Sequence, residues 1–99
     1  MTLIRHKSLN IHPGKILKDE VIVPANLTIG EAAEHLNISR LTLSNIVNGK
    51  SSITPNMALK LQYVFGGNAA FWLRLQLKYE LIKAEIEFEE KDLTKLEKV

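Results

Sequence analysis

Helix-boundary residues recur at short, regular intervals along the middle of this chain, and they restrict its fold more than any other feature. The stretch "TIGE" at 28–31 is a capping box. Thr28 is placed to accept from the amide of Glu31, whose carboxylate reaches back to the amide of Thr28. Asn37 follows Leu36 where a left-handed turn is needed, a conformation asparagine tolerates. Ser39 is a good N-cap for a second helix, and "NG" at 48–49 closes it with Gly49 as the C-terminal cap. Thr54 and Pro55 then open another helix as cap and first residue. The same logic starts a helix at Pro13 and stops it before Pro24, with Ile16, Leu17 and Val21 on its inner side. "GGN" at 66–68 ends the fourth helix, whose apolar stripe is Ala58, Leu61, Val64 and Phe65, and Asn68 caps a fifth. The expected architecture is all-α, with five helices and no repeat.

The helices from Thr28 to His35 and from Ser39 to Asn48, joined by Leu36–Ile38, form a helix-turn-helix. Ala32, Ala33 and Leu36 supply the inner face of the first of these. Leu43, Ile46 and Val47 bury the back of the second. Arg40, Leu41, Ser44 and Asn45 are left facing outward on a surface that hydrogen-bonds but carries no acid. A helix in the major groove meets base edges that Arg, Asn, Ser and Thr can pair with, and carboxylates there would repel the flanking phosphates. Arg40 suits a bidentate contact to guanine, Asn45 one to adenine, and Leu41 a thymine methyl. Ser39, Asn48 and Lys50 are placed for phosphates, which position the protein without specifying sequence.

Charge supports that reading. The net charge of +2 is a sum of unlike halves: +5 over residues 1–79 and −3 over residues 80–99. No Asp or Glu occurs from His35 to Tyr79, while Arg40, Lys50, Lys60, Arg74 and Lys78 all fall there. So long an acid-free stretch points to an anionic partner. Enzymatic chemistry has no counterpart in the sequence. There is no cysteine, and His6, His12 and His35 are scattered without metal-ligand spacing, so neither a metal nor another cofactor is expected. "MTLIRHKSLN" lacks the apolar core of a secretion signal, and no run approaches a membrane span; the expectation is a soluble cytoplasmic protein.

The fifth helix, from about Ala69 to Phe88, is apolar on two sides. At about 100° per residue, Phe71, Leu75, Tyr79, Ile82 and Ile86, extended by Trp72, make one stripe. Leu73, Leu77, Leu81, Ala84 and Phe88 make another on nearly the opposite side. Gln76, Glu80, Lys83 and Glu87 fill one polar channel between them. One stripe serves a monomer; two ask for a second partner, for which a second subunit is the natural choice. Trp72, Leu73, Leu77, Leu81 and Ile82 are the candidate dimer residues. The chain divides into an N-terminal arm (1–12), a helical domain with its dimerising helix (13–88) and an acidic tail (89–99).

"TIGEAAEHLNISRLTLSNIVNGKSSIT" resembles the helix-turn-helix of phage-repressor-like (XRE-type) DNA-binding domains. With "HPGKILKDEVIVP" before it, and "PNMALKL" and "FGGNAAFWLRLQLKYEL" after it, the chain from His12 to Glu85 is similar to HigA/VapI-type antitoxins. The resemblance implies a repressor-like homodimer that binds a palindromic operator, represses its own operon, and silences a small ribonuclease-type toxin. By position it also adds Thr42 to the base-facing residues Arg40, Leu41 and Asn45. A ribonuclease toxin holds a polyanion and is therefore basic. The acidic candidates for its contact are Asp19 and Glu20, Glu31 and Glu34, and the tail from Glu85 to Glu97. A stand-alone repressor without a toxin is the alternative. The resemblance departs at two places: Asn37 replaces the usual turn glycine, and the acidic tail runs past the family pattern.

Overall fold

A computed structural model describes residues 10–97, and every regular element among them is helical. Helix α1 (Pro13–Leu17) runs directly into a π-helical turn (Lys18–Ile22). Helices α2 (Ile29–Leu36), α3 (Arg40–Val47), α4 (Pro55–Phe65) and α5 (Ala69–Glu87) follow. No described helix is long and apolar enough to cross a membrane.

The boundaries follow from local chemistry. The capping box of α2 is complete: Thr28 Oγ1 accepts from Glu31 N at 3.0 Å, and Glu31 Oε1 accepts from Thr28 N at 2.9 Å. Asn37 has φ 53°, and the amide of Ile38 reaches back to the carbonyl of Ala33 at 3.0 Å. That is a Schellman closure with asparagine at the left-handed position. Helix α3 ends in the same motif with glycine. Gly49 has φ 76°, its amide bonds to the Ile46 carbonyl at 3.1 Å, and Lys50 N bonds to the Asn45 carbonyl at 2.8 Å. Thr54 and Asn68 cap α4 and α5 through Met57 N and Ala70 N. Leu36 closes α2 and is buried there, rather than lying in the turn.

The first helix differs from the expected α-helix. Its last turn widens, and the amide of Val23 bonds to the carbonyl of Lys18 at 2.9 Å, an i to i+5 closure. The wider turn brings Ile22 round to the side of Leu17. Both are essentially fully buried, whereas Ile16 and Val21 are only half-buried.

The core sits between α1, α2, α3, α4 and the first turns of α5. Leu17, Ile22, Leu36, Leu43, Ile53 and Leu61 fill it, and Trp72 covers it from α5. Ala32 and Ala33 are buried where α2 meets its neighbours, since larger side chains would hold the helices apart. At Gly14, α1 comes so close to α3 that a Cβ would stand 1.8 Å from the carbonyl oxygen of Ile46. Only glycine permits that approach.

Helix α5 corrects the sequence reading at several points. It stops at Glu87, one residue before Phe88. Trp72 faces the core, while Phe71 is 44% exposed and rests edge-on against Trp72 at a centroid distance of 5.3 Å. Gln76, expected in a polar channel, is buried, because its Oε1 accepts from the amide of Ile53 at 2.8 Å. That amide lies in the α3–α4 loop and would otherwise be a buried donor without a partner. Of the arm assigned to residues 1–12, residues 1–9 lie outside the described part. Asn10 donates to the carbonyl of Tyr79 at 2.9 Å, so the chain enters α1 across α5. The tail at 89–97 is exposed and non-helical, and residues 98–99 are again outside the described part.

Candidate nucleic-acid interface

Burial of Leu43, Ile46 and Val47 fixes the roll of α3 about its own axis. Leu41, Ser44, Asn45 and Asn48 therefore turn away from the core, with Arg40 and Thr42 on the flanks of the first turn. Arg40, Leu41 and Thr42 are exposed, and Leu41 at 70% is a large apolar side chain standing in water. Ser44 and Asn45 are half-buried, and Ser39, Asn48 and Lys50 are exposed. The structure thus brings the sequence-selected residues onto one surface.

Their side chains are not equally available. Ser39 Oγ accepts from Thr42 N at 3.0 Å and shares a 2.7 Å hydrogen bond with Thr42 Oγ1. Asn48 Nδ2 donates to Ser44 Oγ at 3.2 Å. Both pairs are held before any ligand arrives. Arg40, Leu41, Asn45 and Lys50 side chains have no hydrogen-bond or ion-pair partner among the described residues. Arg40 reaches back over the start of α2, its Cδ 3.9 Å from where a Cβ on Gly30 would be. The ion pairs Lys15–Asp19 and Lys91–Glu89, among the described residues, involve none of the cations of the acid-free stretch.

The loop after α3 is held from two sides. From α5, Gln76 takes the amide of Ile53, and Ser52 Oγ donates to Glu80 Oε1 at 3.0 Å. From the start of α1, His12 packs beside Gly49, 3.6 Å from the position of a Cβ there. The imidazole does three things at once. Its Nδ1 accepts from Gly14 N at 2.9 Å and so caps α1. Its ring stands edge-on to Tyr79 at 4.8 Å. Burial pushes its pKa below the ordinary value, against the smaller opposing effects of Glu80 and a backbone hydrogen bond with Ser51. The sequence pattern, which leaves His12 among scattered histidines and Gln76 and Glu80 in a polar channel of the fifth helix, does not reveal these roles. The available signal was that Glu80 is the first acid after the acid-free stretch, one helical turn beyond Gln76.

Elsewhere the candidates separate. Trp72 and Ile82, named as dimer residues, are 6% and 8% exposed and lie against their own chain. Leu77 and Leu81 are 69% and 56% exposed; Leu73 is half-buried at the edge of the same stripe, and Phe88 extends it beyond the helix end. Among the acids, Asp19 is paired with Lys15 at 2.8 Å. Glu31 is engaged by Thr28, whose hydrogen bonds hold its carboxyl below the usual range. Glu34 lines an open groove with Leu27, Glu31 and His35, and Glu20 is exposed on the π-helical turn.

Comparison with known proteins agrees with this geometry. A family model described as helix-turn-helix matches residues 17–72. Virulence-associated protein A of Dichelobacter nodosus is 46% identical over 71 residues, which is 71% of this chain and 70% of that protein. Among solved structures, the Pseudomonas aeruginosa antitoxin HigA with the higBA promoter superposes with a TM-score of 0.80 at 32% identity, covering 89% of this chain and 96% of that one. The Pseudomonas aeruginosa protein PA4674, in complex with its operator DNA, gives 0.79 at 31% identity over 90% and 96%.

Proposed function

The chain belongs to the helix-turn-helix family, and from that we propose that it is a sequence-specific DNA-binding antitoxin. It represses its own operon and neutralises a small ribonuclease-type toxin. It acts by binding and not by catalysis, in the cytoplasm, as a homodimer on a palindromic operator.

One observation carries the reading: an exposed recognition surface on α3, free of acids, in a chain that superposes on an antitoxin solved with its promoter. In this reading Arg40, Leu41 and Asn45 read bases, with Ser44 and Thr42 assisting from their internal hydrogen bonds. Ser39, Asn48 and Lys50 hold phosphates. The stripe of exposed Leu77 and Leu81, with half-buried Leu73 at its edge, joins two copies, so that two α3 helices enter the groove about one helical turn apart, roughly 34 Å. The toxin takes the acidic surface of the π-helical turn and α2, with Asp19, Glu20, Glu31 and Glu34, or the tail from Glu85 to Glu97.

The test is separation of the two functions. The product of the adjacent small gene is expressed alone, with the wild-type chain, and with Arg40→Ala. Growth arrest by that product, relieved equally by wild type and Arg40→Ala, is the expected result, with promoter repression lost only in the variant. A neighbouring product that neither slows growth nor co-purifies would leave a stand-alone repressor as the better account.

A further inference from the structure

The loop that leaves α3 carries Lys50 and joins the recognition helix to α4. Its backbone is tied at both ends of its course. The amides of Gly49, Lys50 and Ser51 return to Ile46 and Asn45 of α3, and the amide of Ile53 goes to Gln76 of α5. Between these anchors, Ser52 makes one side-chain bond, to Glu80 Oε1 at 3.0 Å, and the same oxygen accepts from Gln76 Nε2 at 3.3 Å. Gln76 and Glu80 therefore form a two-residue clamp on α5 that closes on the DNA-side loop. On an adjoining face of the same helix, Leu77 and Leu81 are exposed.

A carboxylate at this place is unexpected on electrostatic grounds. Glu80 is the first acid after a stretch kept free of them, and a negative charge near the phosphates weakens association. Its charge does not help the protein hold DNA. What it supplies is an acceptor placed to take two donors at one oxygen, Ser52 Oγ at 3.0 Å and Gln76 Nε2 at 3.3 Å.

We propose that Glu80 is a positioning residue for DNA recognition: through Ser52, and with Gln76, it locks the α3–α4 loop to α5. It thereby fixes the recognition helix relative to the helix that joins the two copies. The clamp favours the correctly spaced pair of half-sites over any other DNA, and the cost is some electrostatic affinity for all DNA. The proposal rests on the DNA-binding reading above.

The two effects of Glu80 come apart in its variants. Glu80→Gln keeps an acceptor at the same place and removes the charge. Glu80→Ala removes both. The probes are the duplex that the wild-type protein selects from a random library, the same duplex with its half-site spacing altered by a base pair, and an unrelated duplex. The readout is the ratio of affinities, measured alongside melting temperature and sedimentation. Both variants are expected to bind unrelated DNA at least as well as wild type. Glu80→Gln keeps the selected-to-unrelated ratio within about twofold. Glu80→Ala lowers it by about three- to tenfold, the equivalent of one ordinary hydrogen bond, and tolerates the altered spacing better. Ser52→Ala removes the bond from the loop side and lowers the ratio in the same direction, which guards against a folding effect peculiar to α5. An unchanged ratio in both alanine variants would overturn the proposal, as would an equal fall in Glu80→Gln and Glu80→Ala. A wild-type protein that selects no duplex at all would instead overturn the DNA-binding reading itself.

Discussion

Gly14→Ala and Gly30→Ala add the same methyl group to a helix and should have opposite effects. At Gly14 the new Cβ would lie 1.8 Å from the Ile46 carbonyl oxygen and 2.6 Å from its carbon. Both are backbone atoms at the end of α3, so no side-chain rotation relieves the clash. To reach even 3.0 Å, α1 and α3 must part by about 1.2 Å along that line. Forced shifts of this kind in a packed core cost roughly 1–3 kcal/mol, sometimes more. Separation also lifts Leu17 and Ile22 from a core in which both are fully buried. Helix propensity returns at most about 1 kcal/mol, and less in a first turn. We expect a net loss of about 2–3 kcal/mol, which for a domain of this size lowers the melting temperature by roughly 10–20 °C. At Gly30 the nearest atom is 3.9 Å away, so alanine enters ordinary contact and should leave stability unchanged or raise it by up to about 1 kcal/mol. Urea titration of the three proteins measures both differences. A Gly14→Ala protein as stable as wild type would refute the close approach of α1 to α3, and with it the support given to the recognition helix from behind.

Further outcomes follow from the interface. Arg40→Ala should cost on the order of 1–3 kcal/mol on the selected site and relax sequence preference at one position, whereas Lys50→Ala should weaken binding to all duplexes alike and reduce the salt slope by about 1; equal losses on specific and random DNA for Arg40→Ala would remove its base-reading role. Leu77→Glu should give a folded monomer with much weaker operator binding, because half the phosphate contacts are lost; sedimentation showing wild-type protein to be monomeric at micromolar concentration would end that account. His12 makes stability pH-dependent. Its folded pKa lies below its unfolded value, so the unfolded chain takes up the proton first, and stability present above about pH 6.5 falls as the pH drops below that value. His12→Asn, which keeps a cap on α1 but does not titrate, should flatten the melting profile between about pH 8 and pH 5 relative to wild type.

What was legible in the sequence was local. Thr28 with Glu31, Asn37, Ser39, Gly49, Thr54 and Asn68 each act on backbone groups within a few residues, and their types and spacing announce the helix ends. The roll of α3 was legible for the same reason, since Leu43, Ile46 and Val47 recur at helical spacing. What was not legible depends on partners far along the chain. Gln76 is buried because it meets an amide 23 residues earlier, in a loop that only the tertiary fold brings to α5. The π-helical turn exists because Leu17 and Ile22 both enter the core, and no single-helix periodicity places residues five apart on one side. Phe71 and Trp72 are adjacent aromatics about 100° apart, and their order of burial depends on where α4 lies. The hydroxyl and amide pairs on α3 fall between these cases. Their spacing is helical, yet the same hydroxyl and amide groups suit DNA equally well, and only the side-chain geometry pairs Ser39 with Thr42 and Asn48 with Ser44.

The same distinction between engaged and available groups orders the acids proposed for the toxin. An attacking basic side chain gains most from a carboxylate that has no prior partner, because exchange of one ion pair for another yields little net energy. Asp19 already holds Lys15 at 2.8 Å, four residues along the helix. Glu31 closes the capping box, and drawing it outward would free the Thr28 amide and loosen the start of α2. Glu20 and Glu34 make no ion pair among the described residues. Glu34 borders the groove with Leu27, where an arginine or lysine stem has apolar surface to lie on. In the proposed toxin complex the acids expected to carry the attraction are therefore Glu34 and Glu20, while Glu31 shapes the helix that presents Glu34. Charge reversal at Glu34 should accordingly weaken a toxin complex more than removal of the charge at Asp19, and should leave the DNA face, which contains no acid to disturb, as it was.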